Sequence, residues 1–186
     1  AIVSDEEYDL LISYLEKIKP SSTILTIVGA PIEKNKTALP YFMGSMNKIK
    51  ADSGALKKWM EKYPSDFMIS AKLDGVSGLY STEGLHPKLY TRGNGIQGQD
   101  VSHLIPYLNL STEKNIVVRG EFIINKNLFD EKYKTLFSNP RNMVSGLVNC
   151  QKGGEDKYPD LSFIVYEVIM PQLMPKEQVV FVENHH

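Results

Sequence analysis

The sequence has too little cysteine, too little net charge and too few long apolar runs for several classes of protein. Cys150 is the only cysteine among 186 residues, so an internal disulfide and a zinc site of the C-x-x-C type are excluded. The formal net charge is −1, so there is no overall positive field with which to hold a nucleic acid. No apolar run approaches membrane-spanning length, and the N-terminus does not resemble a signal peptide. We therefore expect a soluble, monomeric, intracellular protein of the cytoplasm, where thiols stay reduced.

An amphipathic pattern at the N-terminus predicts the first helix. Ser4 and Glu7 form a capping-box pattern, the helix is predicted to run to Lys19, and Pro20 ends it. Its apolar side chains recur at helical spacing and predict one buried face. The acidic residues of its first turn suit the positive end of the helix dipole.

The composition changes after this helix, and the change predicts a domain boundary. Residues 20–40 are rich in Ser, Thr, Pro and Lys and predict a linker or a long arm. We predict a small N-terminal helical lobe over residues 1–28 and a main domain over residues 29–184. His185 and His186 are interpreted as the remnant of a purification tag.

The main domain is predicted to mix helices with strands. A helix is predicted to begin at Asp52 or Ser53 and to end at Tyr63, and its apolar residues are predicted to be buried: Leu56, Trp59, Met60 and Tyr63. Further helices are predicted over residues 126–136 and 138–149. Alternating apolar residues predict strands over residues 67–72, 76–82, 88–92, 115–124 and 161–170. We therefore predict an α+β fold.

A lysine ends the first predicted strand and suggests a chemical site. Alternation places Ser70 and Lys72 on one face of residues 67–72, and Asp74 and Gly75 follow directly. One interpretation is an ordinary hairpin with an exposed lysine. The other is a nucleophilic amine that desolvation and cationic neighbours keep uncharged. The K-x-D-G spacing alone does not decide between them.

Two further segments have polar residues that an ordinary turn or strand does not need. Residues 92–100 form a glycine-rich loop, which is either a flexible turn or a backbone that approaches a sugar or phosphate. This loop lacks the layout of a Rossmann fingerprint or a P-loop. Arg119 and Glu121 interrupt an apolar strand on one face, so each needs a protein partner or a ligand.

Taken in order, these segments resemble one family. The order is S-D-E-E-Y-D, G-S-M-N-K, K-L-D-G, T-R-G-N-G-x-x-G-x-D, V-R-G-E, N-P-R-N-x-x-x-G and a strand that holds Tyr166. The chain resembles the N-terminal half of the NAD-dependent DNA ligases, and within them the compact ligases of large DNA viruses. The resemblance implies antiparallel sheets around a nucleotide cleft, as in the nucleotidyltransferase and ATP-grasp-like ligase cores.

The resemblance also implies a role for individual residues around AMP. Lys72 would attack the α-phosphorus of NAD and carry AMP, and Asp74 would orient the site. Glu121 would hold the ribose hydroxyls, and Tyr166 would stack on adenine. Phosphates would face the two arginines, Arg92 and Arg141.

Further residues would complete the nucleotide site. The adenine pocket would be bordered by Ser45, Met46 and Ser70, of which Ser70 replaces the glutamate usual in the family. The nicotinamide mononucleotide half of NAD would contact the N-terminal residues Asp5, Tyr8 and Asp9. This N-terminal module favours NAD over ATP. Mg²⁺ would assist, and no metal-ligating residue is assigned.

The sequence departs from the family pattern in ways that leave alternatives open. Asn94 replaces an aspartate and Asn149 an arginine, and no D-G-V-V-I-K-like segment follows Met170. We therefore expect a truncated adenylation domain whose parent protein grips nicked duplex DNA mainly through other modules, in a nucleoid or a viral factory. The alternatives are an ATP- or GTP-using RNA ligase or capping enzyme, and a non-catalytic fragment that binds nucleotide or is purely structural.

Overall fold

The computed structural model describes residues 5–26, 36–46, 48–49, 54–150 and 153–185. Five α-helices are present in these ranges: α1 (Asp5–Ile18), α2 (Ala55–Lys62), α3 (Lys126–Lys132), α4 (Pro140–Asn149) and α5 (Pro175–His185). The strands of the same ranges are β1 (Lys36–Ala38), β2 (Val76–Ser81), β3 (Lys88–Thr91), β4 (Gln97–Gln99), β5 (Val117–Ile124) and β6 (Leu161–Met170). Short 3₁₀ helices lie at Thr23–Thr26, Ser102–Tyr107 and Tyr158–Asp160.

The strands form two antiparallel sheets. The larger sheet has the order β3-β2-β5-β6, and β1 pairs with β4 in a separate two-stranded ladder. Every neighbouring pair in the larger sheet is antiparallel. The prediction of an α+β fold with antiparallel strands is therefore confirmed.

The main core lies on one face of the larger sheet. Alternation along β5 directs Val118, Phe122 and Ile124 to this face, where they are buried. Helix α4 covers it with four buried residues: Met143, Val144, Leu147 and Val148. Each such apolar side chain contributes about 1.5–3 kcal/mol when it is fully buried.

The opposite face of β5 positions the polar residues. Val117, Arg119 and Glu121 alternate onto this face, with Val117 packed in a smaller cluster beside Met43 and Leu79. This second cluster also receives the segment that follows β1. The sheet thus has an apolar core on one side and a polar site on the other.

Most helices and strands predicted from the sequence are present. The first helix was predicted to span residues 4–19 and spans Asp5–Ile18, and the last strand has the predicted bounds Leu161–Met170. Helix α4 was predicted over residues 138–149 and begins two residues later, at Pro140, because the Asn139 side chain caps it by accepting a hydrogen bond from the Asn142 N–H. The predicted caps Ser4, Asp52 and Ser53 lie outside the described residues.

The strand predicted over residues 67–72 is wrong. The segment has no ladder in the described structure, and each of its residues is exposed; Ile69 is 94% exposed. Alternation predicts only the shape of a strand, whereas a strand also needs a neighbour with which to pair.

The predicted burial of the second helix is wrong for a related reason. Helix α2 has the expected apolar stripe, but Leu56, Trp59, Met60 and Tyr63 are between 40% and 47% exposed. Trp59 contacts Tyr63 and Phe67 and no buried residue lies in α2. The apolar face of the helix is therefore partly exposed to solvent.

Three short or terminal elements were not predicted. Strands β1 and β4 have three residues each, which is too short for a period-two pattern, and both fall in segments interpreted as linker and loop. Helix α5 spans Pro175–His185, so its backbone includes His185, one of the two residues interpreted as a tag remnant. Within the described ranges, no helix combines the length and apolar character that crossing a membrane requires.

Candidate functional site

The polar face of β2 and β5 holds a buried carboxylate. Glu121 is 8% exposed, and β-sheet register places Ser77 directly opposite it on β2. Glu121 Oε2 accepts a hydrogen bond from Ser77 Oγ at 2.8 Å, and Oε1 accepts one from the Gly75 N–H at 3.1 Å. A carboxylate has about four acceptor positions, so roughly half of its capacity remains for another donor.

Gly75 lets the loop before β2 lie against β5. A Cβ atom at this position would lie 1.9 Å from the backbone oxygen of Phe122, which no other residue could tolerate without a shift of the main chain. This close approach brings the Gly75 N–H to Glu121. Because three residues span about 10 Å at most, Lys72 lies within that distance of Gly75 along the backbone.

A β-bulge places Tyr166 on the same face. Residues 119 and 120 of β5 pair with 167 and 165 of β6, so Tyr166 is the extra residue between them. Its hydroxyl lies close enough to Ser77 and Glu121 for both side chains to influence its pKa. Burial raises the pKa of Tyr166, and the Glu121 carboxylate raises it further. The predicted sugar-binding carboxylate and the predicted adenine-stacking ring are therefore neighbours.

Asp74 and Arg141 also come together. Arg141 Nη1 donates to Asp74 Oδ1 at 2.5 Å, which joins the loop before β2 to the first turn of α4. Both side chains are at least half exposed, so water screens the pair and it adds little to stability. The arrangement therefore leaves both groups able to turn toward a ligand.

The predicted desolvation of Lys72 is not found. The side chain is exposed, and the segment before it lies outside the sheet, so the described chain does not bury the amine. The Gly75–Glu121 hydrogen bond nevertheless fixes the loop that follows it. Ser70, predicted to border adenine, is exposed as well.

Arg92 and Ser45 are brought together as well. Arg92 Nη1 donates to Ser45 Oγ at 3.2 Å, which links the glycine-rich loop to the segment that follows β1. Met46, the next residue, is 65% exposed. These three predicted ligand-binding residues therefore lie around one edge of the polar face.

One glycine of the glycine-rich loop packs closely against the backbone of this protein itself. Gly95 has φ +93°, and a Cβ there would lie 2.8 Å from the Met43 oxygen. The Met43 N–H donates to the Gly95 oxygen at 2.8 Å. Asn94 shapes the turn, because its Oδ1 accepts hydrogen bonds from the Ile96 and Gln97 N–H groups. In this loop Gly95 serves packing rather than ligand approach.

Arg119 has protein partners. Nη1 donates to Glu167 Oε2 at 2.7 Å, and Nη2 donates to the backbone oxygen of Phe42. Its buried Nε has no hydrogen-bond partner among the described residues. Arg119 therefore ties the segment after β1 to β5 and β6. A shallow depression of about 670 Å³ lies beside this pair, between β6 and α5.

The described residues offer few metal ligands. No group of three or more His, Cys, Asp or Glu side chains is clustered among them in a way that could hold a metal ion. Mg²⁺ commonly uses one or two carboxylates together with substrate phosphates, and such a site needs no protein cluster. The remaining predicted ligand residues, Asp5, Tyr8 and Asp9, lie in α1, but their side chains are outside what the structure describes.

Sequence reasoning missed the two groups that hold Glu121. Gly75 and Ser77 were read as parts of a turn and a strand, because their link to residue 121 depends on the register between β2 and β5. Ser77 is a polar residue in the first half of β2, and this was the only available signal in the sequence. Only an alignment of the two strands would have paired it with Glu121.

Comparison with known proteins places the chain in a family. Residues 45–182 match the model of the NAD-dependent DNA ligase adenylation domain. The chain is 44% identical over 179 residues to the DNA ligase of Acanthamoeba polyphaga mimivirus, covering 92% of this chain and 28% of that protein. It is 42% identical over 173 residues to putative DNA ligase 205R of Invertebrate iridescent virus 6, covering 90% and 27%.

A bacterial relative shows that the similarity is not confined to viruses. The DNA ligase of Helicobacter acinonychis (strain Sheeba) is 32% identical over 199 residues, covering 90% of this chain and 30% of that protein. The chain thus spans less than a third of the length of these three relatives. The matched residues include the whole Glu121 site, and the chain belongs to the NAD-dependent DNA ligase adenylation domain family.

Proposed function

We propose that this chain is the part of a DNA ligase that takes AMP from NAD onto Lys72 and passes it to DNA. The family of residues 45–182 supports the reaction class. The observation that carries the site is the buried Glu121 carboxylate, which Gly75 and Ser77 hold while acceptor capacity remains. A ribose presents two adjacent hydroxyl donors, which match that capacity.

The residues around Glu121 suit an adenylate. Tyr166 is adjacent to Ser77 and is 42% exposed, so part of the ring is available to stack on a base. Lys72 precedes the loop that reaches Glu121, which suits an α-phosphate attached to the same ribose. Ser45, Met46 and Ser70 would border the adenine.

The phosphates would be met by guanidinium groups. Arg92 and Arg141 each hold a replaceable partner, Ser45 and Asp74 respectively, and both can exchange it for a phosphate oxygen. Release of Asp74 from Arg141 would leave a carboxylate two residues from Lys72, where it can orient the amine. A phosphate bound by Arg141 would thus free the Asp74 carboxylate.

The reaction exchanges one phosphorus bond for another. The neutral Lys72 amine forms an N–P bond to the α-phosphorus of NAD, the bond to the pyrophosphate oxygen breaks, and nicotinamide mononucleotide leaves. The amine proton passes to solvent or to a nearby carboxylate. In the parent enzyme a DNA 5′-phosphate then takes the AMP, and a DNA 3′-hydroxyl displaces it and seals the nick.

Mg²⁺ and the N-terminal lobe complete the proposal. Mg²⁺ would sit on the NAD phosphates with at most an isolated carboxylate of this chain, where it would neutralise phosphate charge. Residues 1–28 would form the nicotinamide-binding lobe, with Asp5, Tyr8 and Asp9 as its ligands, and residues 29–184 the adenylation domain. Because the net charge is −1, most of the grip on nicked DNA would come from other parts of the enzyme.

Intact mass after incubation with a nucleotide tests this function. The complete protein encoded by the gene is incubated with Mg²⁺ and NAD, ATP or GTP, and the labelled residue is located by peptide mapping. We expect one adenylyl group from NAD, none from ATP, and none in Lys72→Ala. Lys57→Ala, which changes an exposed lysine of α2, is the matched control and should label normally.

The outcome also separates the alternative functions. Labelling from ATP or GTP would favour an RNA ligase or capping enzyme, and labelling that survives Lys72→Ala would contradict the assigned nucleophile. Because Lys72 is exposed in the 186-residue chain, we expect this chain alone to bind AMP or NAD but to adenylate weakly or not at all.

A further inference from the structure

Ser77 occupies a central position on the polar face. It is partly buried in β2, directly opposite Glu121, and its hydroxyl donates to Glu121 Oε2 at 2.8 Å. The other carboxylate oxygen is held separately, by the Gly75 N–H at 3.1 Å. The two donors come from the same chain segment, two residues apart, and each holds one oxygen.

Two hydrogen bonds fix the orientation of the Glu121 carboxylate, whereas one would not. The terminal torsion of a glutamate is broad and roughly two-fold, so a single hydrogen bond leaves the carboxylate plane free to turn. A second bond to the other oxygen fixes that plane. Each oxygen then has one lone pair directed away from its donor, which gives a fixed pair of acceptors.

Ser77 also lies near the hydroxyl of a tyrosine. It is close enough to the Tyr166 hydroxyl to lower the pKa of that group, and the bulge in β6 brings the tyrosine onto this face. One hydroxyl thus lies between the carboxylate proposed for the sugar and the ring proposed for the base. Loss of the Ser77 hydroxyl would make the position of the Glu121 carboxylate relative to the Tyr166 ring less well defined.

We infer that Ser77 is a positioning residue: by fixing the plane of the Glu121 carboxylate, it sets the selectivity of the proposed nucleotide site for a ribose over a deoxyribose. This inference rests on the proposed function of that site. Ser77 itself acts through Glu121 and needs no contact with the ligand.

Calorimetry with paired nucleotides measures this selectivity. The 186-residue chain is titrated with AMP, 2′-deoxy-AMP and 3′-deoxy-AMP, and the readout is the ratio of AMP affinity to each deoxy affinity. Because a hydrogen bond to a charged group is lost, we expect the unsubstituted chain to prefer AMP about tenfold or more. In Ser77→Ala, AMP binding should weaken about fivefold and the preference should fall at least about threefold.

Three further variants distinguish positioning from a structural role. Ser77→Thr keeps a hydroxyl in a strand that accepts β-branched residues, so it should keep the preference. Ser77→Cys has a similar volume but a weak donor, so it should lose preference as Ser77→Ala does. Ser162→Ala, at an exposed serine of β6, is the matched control and should behave like the unsubstituted chain.

The outcomes distinguish a failure of this inference from a failure of the proposed nucleotide site on which it rests. If Ser77→Ala and Ser77→Cys weaken AMP and both deoxy nucleotides by the same factor, the ratio is unchanged and the positioning role is refuted, while the nucleotide site stands. If the unsubstituted chain binds no AMP, the proposed site is itself refuted, and the role of Ser77 with it. A reduced ratio that Ser77→Thr restores supports the inference.

Discussion

Replacing Glu121 tests how the site is anchored. Glu121→Ala removes the acceptors of the Gly75 N–H and the Ser77 hydroxyl. Each of these two hydrogen bonds to a charged group contributes about 1.5–3 kcal/mol, and the removal of a buried carboxylate, which is costly to desolvate, offsets a large part of their sum. We therefore expect a loss of about 2 kcal/mol in the free energy of unfolding. For a chain of this size, that corresponds to a melting temperature lower by roughly 4–8 °C.

Glu121→Gln should separate stability from binding. The glutamine oxygen can still accept from the Gly75 N–H, and its amide nitrogen can donate to Ser77, whose hydroxyl rotates freely. We expect a loss of about 1 kcal/mol or less in the free energy of unfolding. AMP affinity should nevertheless fall about tenfold, because an amide nitrogen cannot accept a hydrogen bond from a ribose hydroxyl.

Urea denaturation followed by circular dichroism measures both variants. Glu131→Ala, at an exposed glutamate of α3, is the control and should change stability by less than about 0.5 kcal/mol. A Glu121→Ala protein as stable as the unsubstituted chain would refute the anchoring of the carboxylate. A Glu121→Gln protein less stable than Glu121→Ala would refute the assignment of donors and acceptors.

Three other substitutions test separate parts of the structure. Gly75→Ala should cost about 1–3 kcal/mol in urea denaturation, because its Cβ would lie 1.9 Å from the Phe122 oxygen and the main chain must move; an unchanged midpoint would contradict this packing. Ile69→Thr should change stability by less than about 0.5 kcal/mol, because residue 69 is 94% exposed, whereas a buried strand residue would cost more than 1.5 kcal/mol. The hydrogen bond to Asp160, with burial, raises the pKa of Tyr133 to about 12. The stabilisation from this hydrogen bond is fully present below about pH 10, where the tyrosine of the unfolded chain is still protonated, and is lost as the pH rises to about 12. The urea midpoint should therefore fall less steeply across that pH range in Tyr133→Phe than in the unsubstituted chain. An equally steep fall in Tyr133→Phe would contradict the assigned bond.

Local patterns predicted the elements whose stability is local or whose partners adjoin them in sequence. Strands β2 and β3 are joined by a short turn, and both were predicted from alternation and turn residues. Helix α4 has an Asn cap and Pro140 in its first turn, both readable from the sequence. These features depend on neighbours within a few residues.

Features that depend on distant partners were not predicted. Residues 67–72 have the alternation of a strand but no described strand pairs with them, and α2 has an apolar stripe whose residues are not buried. The link between Ser77 and Glu121 depends on strand register, and the position of Tyr166 depends on a bulge. A periodic pattern shows which face is apolar but not what covers that face.

The family resemblance supplied roles that the residue pattern left open. K-L-D-G alone did not distinguish an exposed hairpin lysine from a nucleophile, and the structure leaves Lys72 exposed. The structure adds what the resemblance did not contain: Glu121 has two anchors, and Arg141 and Asp74 are paired. These contacts show how the side chains of the polar face are held.

The central claim is that an adenylate binds on the face formed by Glu121, Ser77 and Tyr166. Titration of the ¹⁵N-labelled chain with AMP, followed by amide chemical shifts, tests it most directly. We predict saturable shifts concentrated at Gly75, Ser77, Glu121 and Tyr166, and their loss in Glu121→Gln at the same AMP concentration. Shifts confined to α2 or to the depression beside Gln172, or no shifts at all, would contradict the account.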